Sequence, residues 1–290
     1  SEFLLQSNSS TITVTDSLHI QTGRFGINFG TIVVDGAGQG VLVMGPTAVF
    51  NTVSGSGNVN LHSATGTSLV ASGATFAPSL TRFYASNPTV NPSLAYQNVE
   101  FYGPVTFSGN TSIAGYLYAQ NAGAGVAMGG YRVNVGGYVD MGTSAFLVMT
   151  NAADTLDVSG DMAIDGGVAS TMTNGVVLFR GNTLTGTNYA ANGTHRTVFL
   201  GAAGAPQNVN GTTTFGRVEV AGGRGFSANG SNYTVADSFV VSTAVPLVGS
   251  GTVIINGPLA ASSPIAISTN LRLRHASGTQ NLQSGTTFGG

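Results

Sequence analysis

Apolar and polar residues alternate in short bursts along the whole of this chain. Thr11-Ile12-Thr13-Val14-Thr15, Asn58-Val59-Asn60-Leu61-His62, Arg132-Val133-Asn134-Val135, Arg217-Val218-Glu219-Val220 and Leu271-Arg272-Leu273-Arg274 are examples. A period of two marks a strand with one face buried and the other turned outward. The bursts last only a few residues and close on glycine-rich turns such as Asp35-Gly36-Ala37-Gly38 and Asp165-Gly166-Gly167. Gly and β-branched residues, both poor helix formers, interrupt every window of about 12 residues that could carry a capped helical stripe. The pattern predicts an all-β chain with almost no α-helix.

Three all-β architectures compete. A sandwich needs turn signals roughly every 8–12 residues and usually stops at a smaller size. A transmembrane barrel needs alternating strands of about 10 residues with aromatic girdles; these bursts are shorter, and the chain has no Trp. A β-solenoid of stacked coils needs short strands, tight Gly/Asn turns and small residues between coils, which fits. Internal repetition points the same way. Gln207-Asn208-Val209-Asn210-Gly211-Thr212-Thr213-Thr214-Phe215-Gly216 returns 73 residues later as Gln280-Asn281-Leu282-Gln283-Ser284-Gly285-Thr286-Thr287-Phe288-Gly289. A looser copy runs from Gln97-Asn98-Val99 to Val105-Thr106-Phe107. In each, a buried Val or Leu is followed by a turn and by a buried Phe opening the next strand. With coils of roughly 18–25 residues, the offset predicts three or four coils. Residues 1–290 are expected to form one elongated β-solenoid segment of a longer protein. A loop or insertion is expected at 77–96, where Pro78, Pro88 and Pro92 break the alternation.

Composition narrows the function. Gly contributes 43 of 290 residues and charged residues only 7%, yet 42% of residues are hydrophobic and the formal net charge is −2. Disordered chains are poor in apolar residues and rich in net charge, so this chain folds. Its nine basic residues are all Arg and are scattered, which leaves no basic stripe for nucleic acid. Apolar runs such as Ala145-Phe146-Leu147-Val148-Met149 fall far short of the roughly 18 residues of a membrane-spanning helix. Zero Cys excludes a disulfide framework, a zinc–cysteine cluster and a thiol nucleophile.

With His195-Arg196-Thr197-Val198-Phe199-Leu200-Gly201 ahead of the first copy, residues 190–223 and 270–290 resemble repetitive bacterial secreted surface proteins, of the autotransporter-passenger and filamentous-adhesin kind. The resemblance implies a β-solenoid, export, display at the cell surface, and adhesion or fibre building. It supplies no catalytic residues.

Candidate chemistry is sparse. Asp154, Asp157, Asp161 and Asp165 form the densest acidic cluster and are the candidate Ca²⁺ ligands, although their spacing matches neither the EF-hand nor the calcium β-roll. Asp at turns on a solvated face is the simpler reading. His19, His62, His195 and His275 lie in no nucleophile elbow, and Gly-x-Ser-x-Gly is absent. The Gly123–Gly129 stretch has no following helix to hold a pyrophosphate. No cofactor is expected. Tyr116, Tyr118, Tyr131 and Tyr138 lie in the densest aromatic region and are the candidate glycan-stacking surface, against the commoner fate of aromatics as core ladders. These readings predict a non-enzymatic structural or adhesive segment, secreted or at the cell surface, with self-association through the end coils and a glycan or host surface as partners. The alternative is a carbohydrate-active enzyme or phage-type glycan-binding spike on a β-helix, with paired carboxylates in one groove.

Overall fold

The structure, a computed structural model, describes the chain except for residues 1, 6–9, 36–40, 53–55, 63–68, 72, 122, 166–170, 188, 263–264, 275–285 and 289–290. The alternating bursts become strands. Strands make up 58% of the chain, no helix occurs among the described residues, and parallel stacked coils form a β-solenoid of about 11 turns. The coils group into two units, Ser1–Gly137 and Tyr138–Gly290.

In the first unit, one ladder stacks Thr11–Val14, Gly30–Val34, Gly57–Leu61, Leu80–Phe83, Val99–Phe101 and Leu117–Ala119, all in parallel. Alternation sends every second residue inward. Val34, Leu61, Phe83, Phe101 and Ala119 therefore form one continuous buried column. The facing ladder starts with Glu2–Leu5, Ser17–Ile27 and Val41–Thr52. Its long strands bend at a β-bulge: Ile20 pairs with Met44 and Thr22 with Thr47, so Gln21 faces both Gly45 and Pro46. A Cβ on Gly45 would lie 2.2 Å from the Gln21 carbonyl oxygen, which restricts the position to glycine. Past the bend, Phe3, Phe25, Phe50 and Phe76 stack ring on ring at 4.8, 5.2 and 5.7 Å.

The segment 77–96, expected as a loop or insertion, is built of rungs. Leu80–Phe83 pairs with Gly57–Leu61, Thr89–Val90 with Val105–Phe107, and Ala95–Tyr96 with Thr111–Ile113. Pro78, Pro88 and Pro92 fall between strands, where a residue without an N–H costs the ladder nothing. They mark corners of a coil with three short sides.

In the second unit, one ladder runs through Thr155–Val158, Val176–Phe179, Arg196–Phe199, Thr213–Val220, Asn232–Val241, Thr252–Ile255 and Asn270–Leu273. The other runs through Val139–Met141, Met162–Ile164, Thr183–Thr185, Gln207–Asn210, Phe226–Ala228, Pro246–Val248, Ala266–Ile267 and Thr287–Phe288. Between them Phe199 meets Phe215 and Phe226 edge to face, and Phe226 meets Phe239 likewise. The long strands bend as in the first unit, with Gly216 facing Ala236 and Asp237.

The buried Val209 and Phe215 match the predicted repeat motif, as do Val99 and Phe107. The 73-residue offset, however, is not a whole number of coils. Phe215 pairs with Val235 in one ladder, whereas Phe288 pairs with Ile267 in the other, four rungs beyond Gln207. Coil length varies from 17 residues between Thr89 and Thr106 to 27 between Gly30 and Gly57, so a fixed offset drifts out of phase.

Phe50 sits in the middle of the aromatic stack with no exposed surface, while Phe3 ends the stack half-exposed. Phe50→Ala is expected to cost about 3–5 kcal/mol in urea unfolding and Phe3→Ala a small fraction of that. Equal costs would show that the stack does not carry the stability of these coils.

Candidate functional site

The outward side chains of the first unit also fall into columns. Asn60, Arg82, Glu100 and Tyr118 share one register column. Beside it His62, Tyr84 and Tyr102 stack ring on ring at 4.2 and 4.3 Å. The two columns join at Glu100. Arg82 Nε donates to Glu100 Oε2 at 2.6 Å, the Tyr102 hydroxyl donates to the same oxygen at 3.2 Å, and the Tyr116 hydroxyl donates to Oε1 at 2.9 Å. Glu100 is only 8% exposed. Burial and the Glu100 charge push the Tyr102 phenol up to about 12. The adjoining Asn60 Oδ1 is buried with no hydrogen-bond partner.

With both carboxylate oxygens occupied by donors, Glu100 is an anchored charge. Three donors already share its roughly four acceptor sites, and the Arg82 guanidinium holds the charge in place. Tyr84, the middle ring, is stacked on both faces. The result is a polar, aromatic-edged surface over a satisfied ion pair.

Tyr116 and Tyr118 are half-buried beside Glu100, Tyr131 is exposed at a turn with its N–H donating to the Met128 carbonyl, and Tyr138 is exposed in the second unit. The buried tyrosines are instead Tyr96, Tyr189 and Tyr233.

The four candidate Ca²⁺ ligands each face a different partner. Asp154 is buried and accepts the Asn151 N–H at 2.9 Å. Asp157 takes Nε and Nη2 of Arg180 at 2.9 and 3.2 Å. Asp161 Oδ1 accepts the N–H groups of Asn182 and Thr183 at 2.7 and 3.0 Å, and Asp165 Oδ1 accepts the Thr187 hydroxyl at 3.2 Å. Among the described residues no group of three or more His, Asp or Glu could hold a metal ion. One carboxylate pairing does occur: burial and the charge of Asp165 hold the Asp140 carboxyl above the usual range.

His195 is fully buried. Its Nδ1 lies 2.8 Å from the Asn174 carbonyl and its Nε2 lies 3.2 Å from the Tyr189 hydroxyl, which in turn is 2.6 Å from Thr197 Oγ1. A carbonyl partner fixes Nδ1 as the donor, so Nε2 accepts from Tyr189. Every polar atom of this network is matched, the mark of a structural core histidine. His62 is half-buried in the ring stack and His19 is exposed, while His275 lies outside the described residues.

No protein-family model, curated protein or solved structure matches the chain. The residues that sequence reasoning did not single out are Arg82, Tyr84, Glu100, Tyr102 and Asp140. A one-coil offset would have found them: Arg82 and Glu100 are 18 residues apart, and Asp140 and Asp165 are 25 apart.

Removing the anchored charge should be costly. Glu100→Gln leaves a partly buried guanidinium and two phenols short of an acceptor, and on the order of 1–3 kcal/mol should be lost in urea unfolding. His195 supplies a pH dependence. Burial lowers its proton affinity, against opposing contributions from the Asn174 carbonyl bond and the Asp154 charge. The folded state therefore refuses a proton that the unfolded chain binds below about pH 6.5. The thermal midpoint should fall as the pH drops from about 7.5 to about 5, and His195→Gln should flatten that fall relative to the parent.

Proposed function

We propose that this chain is a structural or adhesive segment of a bacterial secreted or cell-surface protein, able to assemble end to end into a fibre. Its work is geometric: stacked coils hold outward side chains in fixed register. One observation carries this reading. The charged residues tie each coil to the next, as in Arg24–Glu2, Arg82–Glu100, Arg180–Asp157, Arg196–Glu219 and Arg217–Asp237. Each of these pairs spans one coil. Half of the 20 charged residues are spent on these ties between coils, which supports a binding or building role. The likeness of the repeats to exported surface proteins supports the placement outside the cell.

A second reading is glycan recognition or turnover, and the Asp140–Asp165 neighbourhood favours it, because burial and the Asp165 charge raise the Asp140 carboxyl and glycoside hydrolysis uses two carboxyl groups facing one bond.

The test is attachment and turnover measured side by side. Beads coated with the 290-residue chain are expected to bind cell surfaces or immobilised glycans, and the soluble chain is expected to release no reducing sugar from the same glycans. Sugar release that disappears in Asp140→Asn would replace the structural reading with the enzymatic one. Neither binding nor release would remove the adhesive part of the proposal.

A further inference from the structure

Register brings two phenols of neighbouring coils together at Tyr84 and Tyr102. Phe83 pairs with Phe101, and the next N–H, that of Tyr102, donates to the Phe83 carbonyl at 2.9 Å. The two segments therefore leave their strands in step, and each presents a tyrosine at the same corner. The ring centroids lie 4.3 Å apart with the planes 13° from parallel, closer than the 4.8, 5.2 and 5.7 Å of the phenylalanine stack. Burial, the Glu100 charge and the adjoining Tyr84 hydroxyl, in that order, push the Tyr102 phenol up. The two hydroxyls are thus neighbours, and so are the ring carbons beside each hydroxyl.

The surroundings suit oxidation of this pair. Tyr84 is 37% exposed, open to a small oxidant, while Tyr102 is half-buried and donates its hydroxyl proton to Glu100 Oε2 at 3.2 Å. A phenol that loses one electron releases its proton, and a carboxylate already hydrogen-bonded to that proton is placed to take it. The chain has no Cys, so no disulfide ties one coil to the next.

We propose that Tyr84 and Tyr102 form an oxidative modification site, at which a peroxide-driven one-electron oxidant couples them into dityrosine, a covalent staple between successive coils. Each phenol gives up one electron and its hydroxyl proton, that of Tyr102 passing through Glu100 to solvent. The two radicals join through the ring carbons beside the hydroxyls. The hydrogens on those carbons then move to the oxygens and restore both rings. The two electrons and two protons reduce one hydrogen peroxide to two waters. Closing a loop of one coil removes freedom from the unfolded chain, as a disulfide does. The staple gives the structural reading above a means of hardening the coils, and it does not depend on that reading.

The experiment treats the 290-residue chain with hydrogen peroxide and a haem peroxidase, and follows dityrosine by fluorescence and mass spectrometry. The parent should gain a signal per molecule that is unchanged by dilution, with the loss of two hydrogens. Cleavage after Arg and Glu separates residues 83–100 from 101–132. In the treated parent these fragments should stay joined, with the bond at Tyr84 and Tyr102. Tyr84→Phe and Tyr102→Phe keep the rings and remove one phenol each, and both should abolish the joined pair. Tyr131→Phe, at an exposed turn, should leave it intact. The treated parent should also unfold at a higher urea concentration than the untreated one, a gain that treated Tyr84→Phe should lack. A parent that forms no dityrosine, a bond confined to 101–132, a joined pair that survives Tyr84→Phe, or a signal that vanishes on dilution overturns the proposal.

Discussion

Parallel, in-register hydrogen bonding between successive coils is the constraint from which the rest of this structure follows. Each residue sits directly above and below residues of neighbouring coils at the strand spacing of about 4.8 Å, so its nearest non-local neighbours are set by register. Apolar on apolar then gives the Val34–Ala119 column and the phenylalanine stack. The same rule punishes charge, since like charges one rung apart repel at close range. An opposite charge on the next rung relieves this, as Glu100 does for Arg82, and where Arg196 lies directly beside Arg217 the acids Glu219 and Asp237 pair with them. Such pairs need a donor that can reach across one rung at a fixed angle. The guanidinium fork does this better than a flexible ammonium, a physical reason for nine Arg and no Lys.

Register fixes neighbours but not coil length, and the corners absorb the difference. Bent long strands use a bulge in which one residue opposes two, with Gly45 or Gly216 at the tight point. Shorter coils break the same path into separate strands, with Pro88 and Pro92 between them. Prolines that look like an interruption in a one-dimensional reading are therefore consistent with an unbroken stack, because the ladder asks nothing of a corner residue's N–H. The same elasticity separates sequence repetition from structural repetition. Phe215 and Phe288 occupy equivalent places in a repeated motif but lie in different ladders.

Fold class was legible because alternation is local: Gly57–Leu61 or Arg132–Val135 declares a half-buried strand from five residues or fewer. The parallel stack was legible from turn chemistry and from the shortness of those strands. Side-chain constellations were not, because each is made between coils. Asp154, Asp157, Asp161 and Asp165 look like a cluster along the chain, yet strand direction and turns send them to Asn151, Arg180, Asn182 and Thr187. Arg82, Glu100 and Tyr116 look unrelated along the chain and share one carboxylate. Reading such contacts from sequence requires the local coil length first, and that length changes from rung to rung.

The same ladder logic decides where reactivity towards other molecules concentrates. Along its sides a coil satisfies its backbone through the coils above and below it, and its outward side chains through pairs and ring stacks. What the sides present is therefore set by register: Asn60, Arg82, Glu100 and Tyr118 in one column and His62, Tyr84 and Tyr102 in the next keep a fixed spacing from coil to coil, so a molecule that met this face would meet a repeating pattern of polar groups and rings.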